Sequence, residues 1–363
     1  MSSKVKEVTF FPRYGALGAS SRVRLLQYIP FVEAAGYFVR TSTLISSDML
    51  SHSYQSGGYR WVPLLLAYQR RLFVLIFRRP KLSFVEKEFF PYMPFVIERL
   101  FLPKNFILDI DDSIHVQYRD HKNPIVRFLL RNKIEQLMRR SSCVVAGSDH
   151  LAEYARQAGA AYTVKVPSTV KSHRFRSPVK QPTDKITLVW IGSPSTRQYL
   201  EMLRPIFSSL EENSLCEFWI IGADARDFSP RLGGNVRFFD WSEEQQFKIL
   251  SRADIGLMPL PDTEFERGKC AYKLIQYMSC GLALAASPVG ENEIVVQDGV
   301  SGILFSSPAV LEDFIMSWLR NPQQVARMKI ASYTKFQDGF STEARAGEIT
   351  SLFDDVFSKR TGF

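Results

Sequence analysis

The residue types that could do chemistry gather at three places. In GKCAYKLIQYMSCGLALAASPVGENEIV, Lys269 and Lys273 open a helix, and an apolar strand then leads into the turn Pro288-Val289-Gly290-Glu291-Asn292, followed by Glu293. Cations at one strand end and a Gly-bearing turn at the next suit an anion, because backbone N–H groups at such turns and at helix N-termini accept phosphate oxygens. Pyrophosphate is the ligand they predict. Near the start, Val8 to Phe11 runs into a loop with Gly15 and Gly18, and a helix opens at Arg22 after Ser20 and Ser21. That is the order of a first phosphate loop, although a GxxG spacing is common and can simply shape a turn. The third place is Phe106-Ile-Leu-Asp109-Ile-Asp111-Asp112. Its carboxylates could hold a divalent cation against a nucleotide diphosphate, set one carboxylate beside reacting atoms without a metal, or cap the next segment.

The elements that must position these groups follow from periodicity. A helix is predicted over Lys269 to Cys280, with Leu274, Tyr277 and Met278 as its apolar stripe and Gly281 as its αL stop. Leu282 to Ser287 has the length and flanks of a buried parallel strand. Further strands are expected at 38–45, 82–86, 143–148, 164–167, 186–191, 217–221 and 236–239. Helices are expected over 22–35, 123–140, 149–158, 322–337 and 342–357, and 46–58 reads as a polar loop. Capping boxes are expected at Ser195…Gln198 and Ser242…Gln245. Strands alternating with helices make an open α/β sheet, whose ligands bind outside the carboxyl ends of the strands.

At 363 residues the chain exceeds one ordinary core, so two α/β domains are expected. The predicted division is an N-terminal acceptor-side domain over 1–170, a polar, Pro-bearing linker over 171–184, a C-terminal nucleotide-sugar-binding domain over 185–338, and a helix over 339–363 that could pack back on the N-terminal domain. A 45% apolar composition excludes a disordered chain. The net charge of +9 points to a polyanionic partner: nucleic acid, an anionic membrane or a phosphorylated substrate. Cys143, Cys216, Cys270 and Cys280 have no metal-site spacing and read as reduced cytoplasmic thiols. Neither a signal peptide nor a transmembrane run is expected.

From Arg60 to Lys104 aromatic and basic residues interleave. Trp61, Phe73, Phe77, Phe89, Phe90, Tyr92 and Phe95 could dip into a bilayer interface while Arg70, Arg71, Arg78, Arg79 and Lys87 meet lipid phosphates. The alternative is a set of core helices whose arginine heads snorkel outward.

Two consecutive doubly wound halves facing one cleft form the GT-B arrangement, and the Gly268–Val295 segment resembles family 4 of the retaining glycosyltransferases, particularly envelope-polysaccharide members. GASSRVR, ILDIDD, VVAGSDHLA and LVWIGSPST extend the likeness over most of the chain. The resemblance implies an α/β fold of two Rossmann-like parallel-sheet domains facing a central cleft. It matches Gly18 and Ser20 to a loop facing the donor diphosphate, and Gly192, Ser193 and Thr196 to a second diphosphate loop. Gly290, Glu291, Asn292 and Glu293 match the turn that holds phosphate and the transferred sugar. The family's paired glutamates, eight residues apart, read Gly268 and Gln276 here, so Gln276 would meet the ribose. The family's His-Asp at the middle strand reads Asp111-Asp112, which makes these two the catalytic candidates.

The reaction so implied is sugar transfer, with retention, from a nucleotide-diphosphate sugar to a glycan or polyprenyl-diphosphate-linked acceptor. Charge on the leaving diphosphate would meet N–H dipoles, Lys269, Lys273 and Arg197, with no metal and no cofactor required. The place would be the cytoplasm, peripherally on the inner membrane face. Two other classes fit parts of the sequence. A metal-dependent GT-A transferase would use Asp109 and Asp111. A basic nucleic-acid-binding protein would use the net charge, but no RNA or DNA module signature appears, so no nucleic-acid partner is expected.

Overall fold

Parallel pairing follows from the alternation of short apolar strands with helices, since consecutive parallel strands must be joined by a crossover long enough to hold a helix. The computed structural model describes residues 6–173, 185–193, 195–210, 215–228, 232–233 and 235–358. The chain divides into two compact units, one of Met1–Thr169, Arg267–Cys270 and Thr342–Phe363, the other of Val170–Glu266 and Ala271–Ser341.

The first unit's strands are β1 (Lys6–Phe11), β2 (Tyr37–Thr41), β3 (Ser83–Glu86), β4 (Phe106–Ile110), β5 (Cys143–Ala146) and β6 (Thr163–Lys165), in the order β2-β1-β3-β4-β5-β6. Both faces of this sheet are covered, which is why its central strands are mostly apolar, with Glu86 and Asp109 near the carboxyl ends of β3 and β4. On one face Val8, Phe10, Phe84 and Ile107 share a core with Ile349, Leu352 and Phe353 of helix Thr342–Ser358. On the other, Phe11, Val85, Leu108 and Val144 pack with Leu137 and Leu151. Parallel register sets Glu86 beside Asp109 where β3 and β4 end.

The second unit's strands are β7 (Ile186–Ile191), β8 (Cys216–Ile221), β9 (Val236–Phe239), β10 (Ile255–Met258), β11 (Ala283–Ala286) and β12 (Gly302–Leu304), in the order β12-β11-β10-β7-β8-β9. The chain winds outward from β7 to β9, then returns to the other side of β7 with β10. The loop after β7 therefore stands at the switch point, where open sheets leave a crevice at their carboxyl edge. The loop after β1 holds the same position in the first sheet, between β2 and β3.

Several local expectations are corrected. The helix expected over 22–35 is broken into Ala19–Arg24, a 3-10 turn at Leu26–Tyr28, and Ile29–Ala34 with Pro30 in its first turn. Gly18, not a serine, holds its N-cap. The basic helix over 123–140 is two helices, Pro124–Leu130 and Lys133–Arg140. The polar loop over 46–58 contains helix Ser47–Ser56, capped by the Ser46 side chain on the Met49 N–H and closed at Gly57. Its apolar stripe is invisible in sequence because Leu50 is its one buried residue. Helix Pro308–Arg320 and strand β12 were not expected. No capping box forms at Ser195…Gln198, where a 3-10 segment, Arg197–Leu203, starts without a side-chain cap. Lys269 precedes its helix, which runs Tyr272–Ser279. Most of the expected linker (174–184), and Pro194, lie outside the described residues.

Candidate functional site

In the first unit, the ends of β1, β3 and β4 bring four carboxylates, Glu86, Asp109, Asp111 and Asp112, and their counter-charges to one sheet edge. Glu86 laces the β1 loop to β3: its Oε2 accepts from the Arg13 N–H at 2.7 Å and from the Ser21 hydroxyl. Ser21 Oγ in turn accepts the Tyr14 N–H at 2.8 Å. Ser20 donates to Asp111 Oδ2. Both serine hydroxyls are thus engaged in tertiary bonds, and neither caps the helix. Lys87 follows β3 with φ of 61°, a left-handed backbone that is unusual for lysine. It is buried, with Nζ 2.9 Å from Asp111 Oδ1 and 3.0 Å from Asp112 Oδ2. Lys269 Nζ lies 3.8 Å from Asp112 Oδ1.

Burial alone would push the Asp111 carboxyl up, but Lys87, Ser20 and Arg24 outweigh it and hold the group below the usual carboxylate range. Burial would likewise lower Lys87, and Asp111 with Asp112 outweighs that too, raising it well above the ordinary lysine value. The result is an ionised pair at the carboxyl edge of the sheet. Such a fixed negative group favours positive charge developing beside it.

Asp109 has a different role. It is fully buried and meets Arg24 in a fork, with Nη2–Oδ1 at 2.7 Å and Nε 3.1 Å from Oδ2, while Arg24 Nη1 donates to the Val166 carbonyl at 2.8 Å. The expected alternative of a metal pair at Asp109 and Asp111 is not assembled, because Arg24 occupies both oxygens of Asp109. Among the described residues no group of three or more His, Cys, Asp or Glu side chains is arranged to hold a metal ion.

The segment carrying Lys269 is pinned closely. A Cβ at Gly268 would lie 1.9 Å from Ser113 Oγ and 3.1 Å from the Ser113 nitrogen, so a residue with a side chain is excluded there without movement. Cys270 Sγ sits 3.0 Å from the Asp111 carbonyl oxygen. This packing accounts for glycine at the position where the resemblance expects glutamate.

In the second unit, the β7 loop is a closed turn. Thr196 Oγ1 accepts the Ser193 N–H at 3.1 Å and donates to the Ser193 carbonyl at 3.1 Å. Gly192 is required by close approach, since a Cβ would fall 2.2 Å from the Trp190 ring. Lys273 reaches this loop from helix Tyr272–Ser279: its Nζ is 3.4 Å from Thr196 Oγ1 and 4.3 Å from the centroid of Trp190. Gly192, Ser193, Thr196 and Lys273 are therefore brought together. Arg197 is not with them, as its guanidinium pairs with Asp227.

Gln276 is buried and donates to Gln246 Oε1 at 3.0 Å, the same oxygen that accepts Trp241 Nε1 at 3.1 Å. The turn after β11 stands at the same carboxyl edge as the β7 loop, two strands away. Gly290 takes φ of 55° and caps helix Glu291–Val295. Glu291 and Asn292 are buried, the latter donating to the Ser287 carbonyl at 3.1 Å, whereas Glu293 is exposed.

Residues 185–321 match the family model described as glycosyl transferases group 1. No curated protein matches the chain in sequence. Among solved structures, sucrose-phosphate synthase from Thermosynechococcus elongatus superimposes with a TM-score of 0.72 at 15% identity, covering 98% of this chain and 100% of that one. HepE of Anabaena, in complex with UDP and glucose, gives 0.69 at 13%, covering 96% and 100%. A glycosyltransferase from Rickettsia africae gives 0.62 at 9%, covering 97% and 99%. The architecture is the α/β two-unit fold of GT-B type.

Among the residues of these two clusters, sequence reasoning missed Lys87, Glu86, Trp190 and Gln246. Lys87 was assigned to a membrane surface, and that is corrected: Arg71, Lys87, Phe89 and Phe90 are all buried. Arg71 donates to the carbonyls of Pro12, Ser42 and Phe89. The available signal for Lys87 was its place directly after a strand ending in Glu86.

Proposed function

We propose that the chain is a retaining glycosyltransferase that moves a sugar from a nucleotide-diphosphate sugar to a glycan or polyprenyl-diphosphate-linked acceptor in cell-envelope polysaccharide synthesis. The observation that carries this reading is Lys273 held over Trp190 and beside Thr196, at the switch point of a sheet matched to group 1 transferases. A diphosphate placed there would meet a cation whose stem is already ordered, so little entropy is lost on binding. A UDP-sugar is the first donor to try, because HepE of Anabaena has been crystallised with UDP-glucose.

In this reading Gly192, Ser193, Thr196 and Lys273 take the diphosphate, the Gly290–Glu293 turn takes phosphate and sugar, and Gln276 serves the ribose. Gly18, Ser20, Lys269 and Arg197 are kept as further candidates for the diphosphate. Breaking the anomeric bond builds positive charge on the sugar. The ionised Asp111 opposes that charge, with Asp112 beside it and Lys87 holding both in place. No metal or cofactor takes part. The protein would work peripherally on the inner face of the cytoplasmic membrane: Trp61, Phe73 and Phe77 are more than half exposed, and Arg70, Arg78 and Arg79 are exposed beside them. Among the described residues no helix is long and apolar enough to cross a membrane.

A thermal-shift screen across UDP, ADP, GDP and their sugars tests the donor assignment. A specific donor at 100 times its dissociation constant should stabilise by about 2.7 kcal/mol. No shift with any nucleotide diphosphate would remove the reading.

A further inference from the structure

In the second sheet β10 lies between β7, whose loop carries Gly192, Ser193 and Thr196, and β11, which leads to the Gly290 turn. Neighbouring strands stand about 4.8 Å apart, so those two loops are separated by roughly 10 Å. The chain leaving β10 fills the edge between them, and it is tied to both sides. The Leu260 N–H donates to Ser287 Oγ at 3.0 Å, and the Ser287 carbonyl accepts from the Asn292 side chain at 3.1 Å. Toward β7, Glu266 Oε1 accepts from the Tyr199 hydroxyl at 2.6 Å. Tyr199 belongs to the 3-10 segment Arg197–Leu203, and its N–H bonds to the Thr196 carbonyl at 3.2 Å.

Glu266 is the buried acid of this loop, at 7% exposure, whereas Asp262 and Glu264 are exposed. Its Oε2 accepts from the Thr263 hydroxyl, so both of these bonds come from neutral hydroxyls and not from a lysine or arginine. A buried carboxylate is costly unless donors fill its acceptor positions, and each of its oxygens has room for a second donor. Tyr199 and Thr263 each direct their single O–H at Glu266, so the group as a whole offers acceptors to a ligand. Phosphate and carboxylate are repelled there, and a ring bearing hydroxyl donors is favoured. We propose that Glu266 is a specificity residue for the transferred sugar. It accepts a hydroxyl of a neutral sugar lying between the β7 loop and the Gly290 turn, and it turns acidic sugars away. Tyr199 and Thr263 are positioning residues for the carboxylate. The inference rests on the donor assignment of the proposed function and adds to it the class of sugar.

Calorimetry on the full chain with UDP, UDP-glucose and UDP-glucuronate tests it, or with ADP or GDP and their glucose forms where the thermal-shift screen selects those nucleotides. Glu266→Gln keeps the size of the side chain and removes its charge. The variant should bind the nucleotide-glucose about tenfold or more weakly, the worth of a hydrogen bond to a charged group, and the free nucleotide within about twofold of wild type. A Glu266 that only held the loop together would move both ligands alike. The uronate gives the opposite sign. Wild type should bind UDP-glucuronate about tenfold or more weakly than UDP-glucose, and Glu266→Gln should narrow that gap to about twofold. Tyr199→Phe leaves the carboxylate in place without one of its positioning bonds, and should weaken the nucleotide-glucose alone by about threefold. It decides the matter if Glu266→Gln melts well below wild type. Equal losses of nucleotide and nucleotide-glucose, an unchanged ratio of the two in a folded variant, or wild-type binding of glucuronate as tight as glucose would each overturn the proposal. Absence of binding by every nucleotide diphosphate would remove the donor reading itself, and this inference with it.

Discussion

Asp111 and Lys87 keep each other ionised in a buried place, so the charge at the end of β4 is available over a wide pH range. An Asp111→Asn side chain preserves the shape and can still accept from Ser20, but it removes the charge. Turnover is expected to fall by the equivalent of about 1.5–3 kcal/mol, the worth of a charge-assisted contact, with donor KM little altered. Steady-state kinetics decide this, and an unchanged kcat takes Asp111 out of the chemistry. The pH dependence has a definite sign. Asp111 is depressed in the folded protein, so its stabilising contribution is present above the unfolded value near pH 4 (about 3.9 for an aspartate) and is lost as pH falls through the lower folded value. Lys87 is raised, so its contribution persists until strongly alkaline pH. Urea titrations between roughly pH 5 and 9 should show no titration of this pair, and Asp111→Asn should blunt the loss of stability below about pH 4. A second residue-scale expectation separates the two lysines. Lys273→Ala should weaken nucleotide diphosphate binding by about 1.5–3 kcal/mol in calorimetry, whereas Lys269→Ala should do less, because Lys269 faces Asp112. Equal losses would overturn that ranking. Lys87 was illegible as a site residue because an aromatic-basic stretch shows no partner. The two aspartates that engage it lie on the next strand's loop, and only strand pairing brings them close.

At the scale of elements, the buried strands were legible and the exposed helices were not. Strands covered on both faces are mostly apolar, so β5, β7 and β8 stand out in sequence within a residue or two at each end. Helix Ser47–Ser56 buries one residue and so lacks a stripe to read. Strand β12 has three residues, too few for any period. The segment 267–270 shows the converse limit. Its family position suggests glutamate at 268, yet packing against Ser113 leaves room only for glycine, a constraint set by a residue more than 150 positions away in sequence. Restoring the family's residue as Gly268→Glu should therefore lower stability by about 1–3 kcal/mol through overpacking and should not tighten donor binding. Tighter binding by this variant, measured alongside its melting temperature, would show that the loop yields and that glutamate has a role there. The broken helix after β1 belongs to the same lesson. Ser20 and Ser21 look like caps in sequence, but their hydroxyls are drawn to Asp111 and Glu86 across the sheet edge.

On the scale of the whole molecule, the first unit is closed by residues from the far end of the chain. Phe353 sits edge-on to Phe84 at 5.5 Å and to Phe10 at 6.0 Å, and Tyr37 meets it at 5.8 Å. It is fully buried, in one core with Leu352, Ile349 and Val356. The strands that carry the Ser20, Lys87 and Asp111 cluster are thus backed by a helix that begins more than 200 residues after β4. Truncation of Phe353 removes a large ring from a packed environment, for which about 3–5 kcal/mol is the ordinary loss. A change of that size is a large share of a domain's stability, so it should register in the first unit as faster opening of the β1 and β3 amides. Native-state hydrogen exchange on Phe353→Ala should show that loss of protection at Val8, Phe10 and Phe84, while Leu188 and Phe218 of the second unit keep theirs, since distant sites without shared partners behave independently. Uniform loss across both sheets would mean that the two units open together. Unchanged protection at Phe10 and Phe84 would mean that the terminal helix contributes little to holding the site's strands.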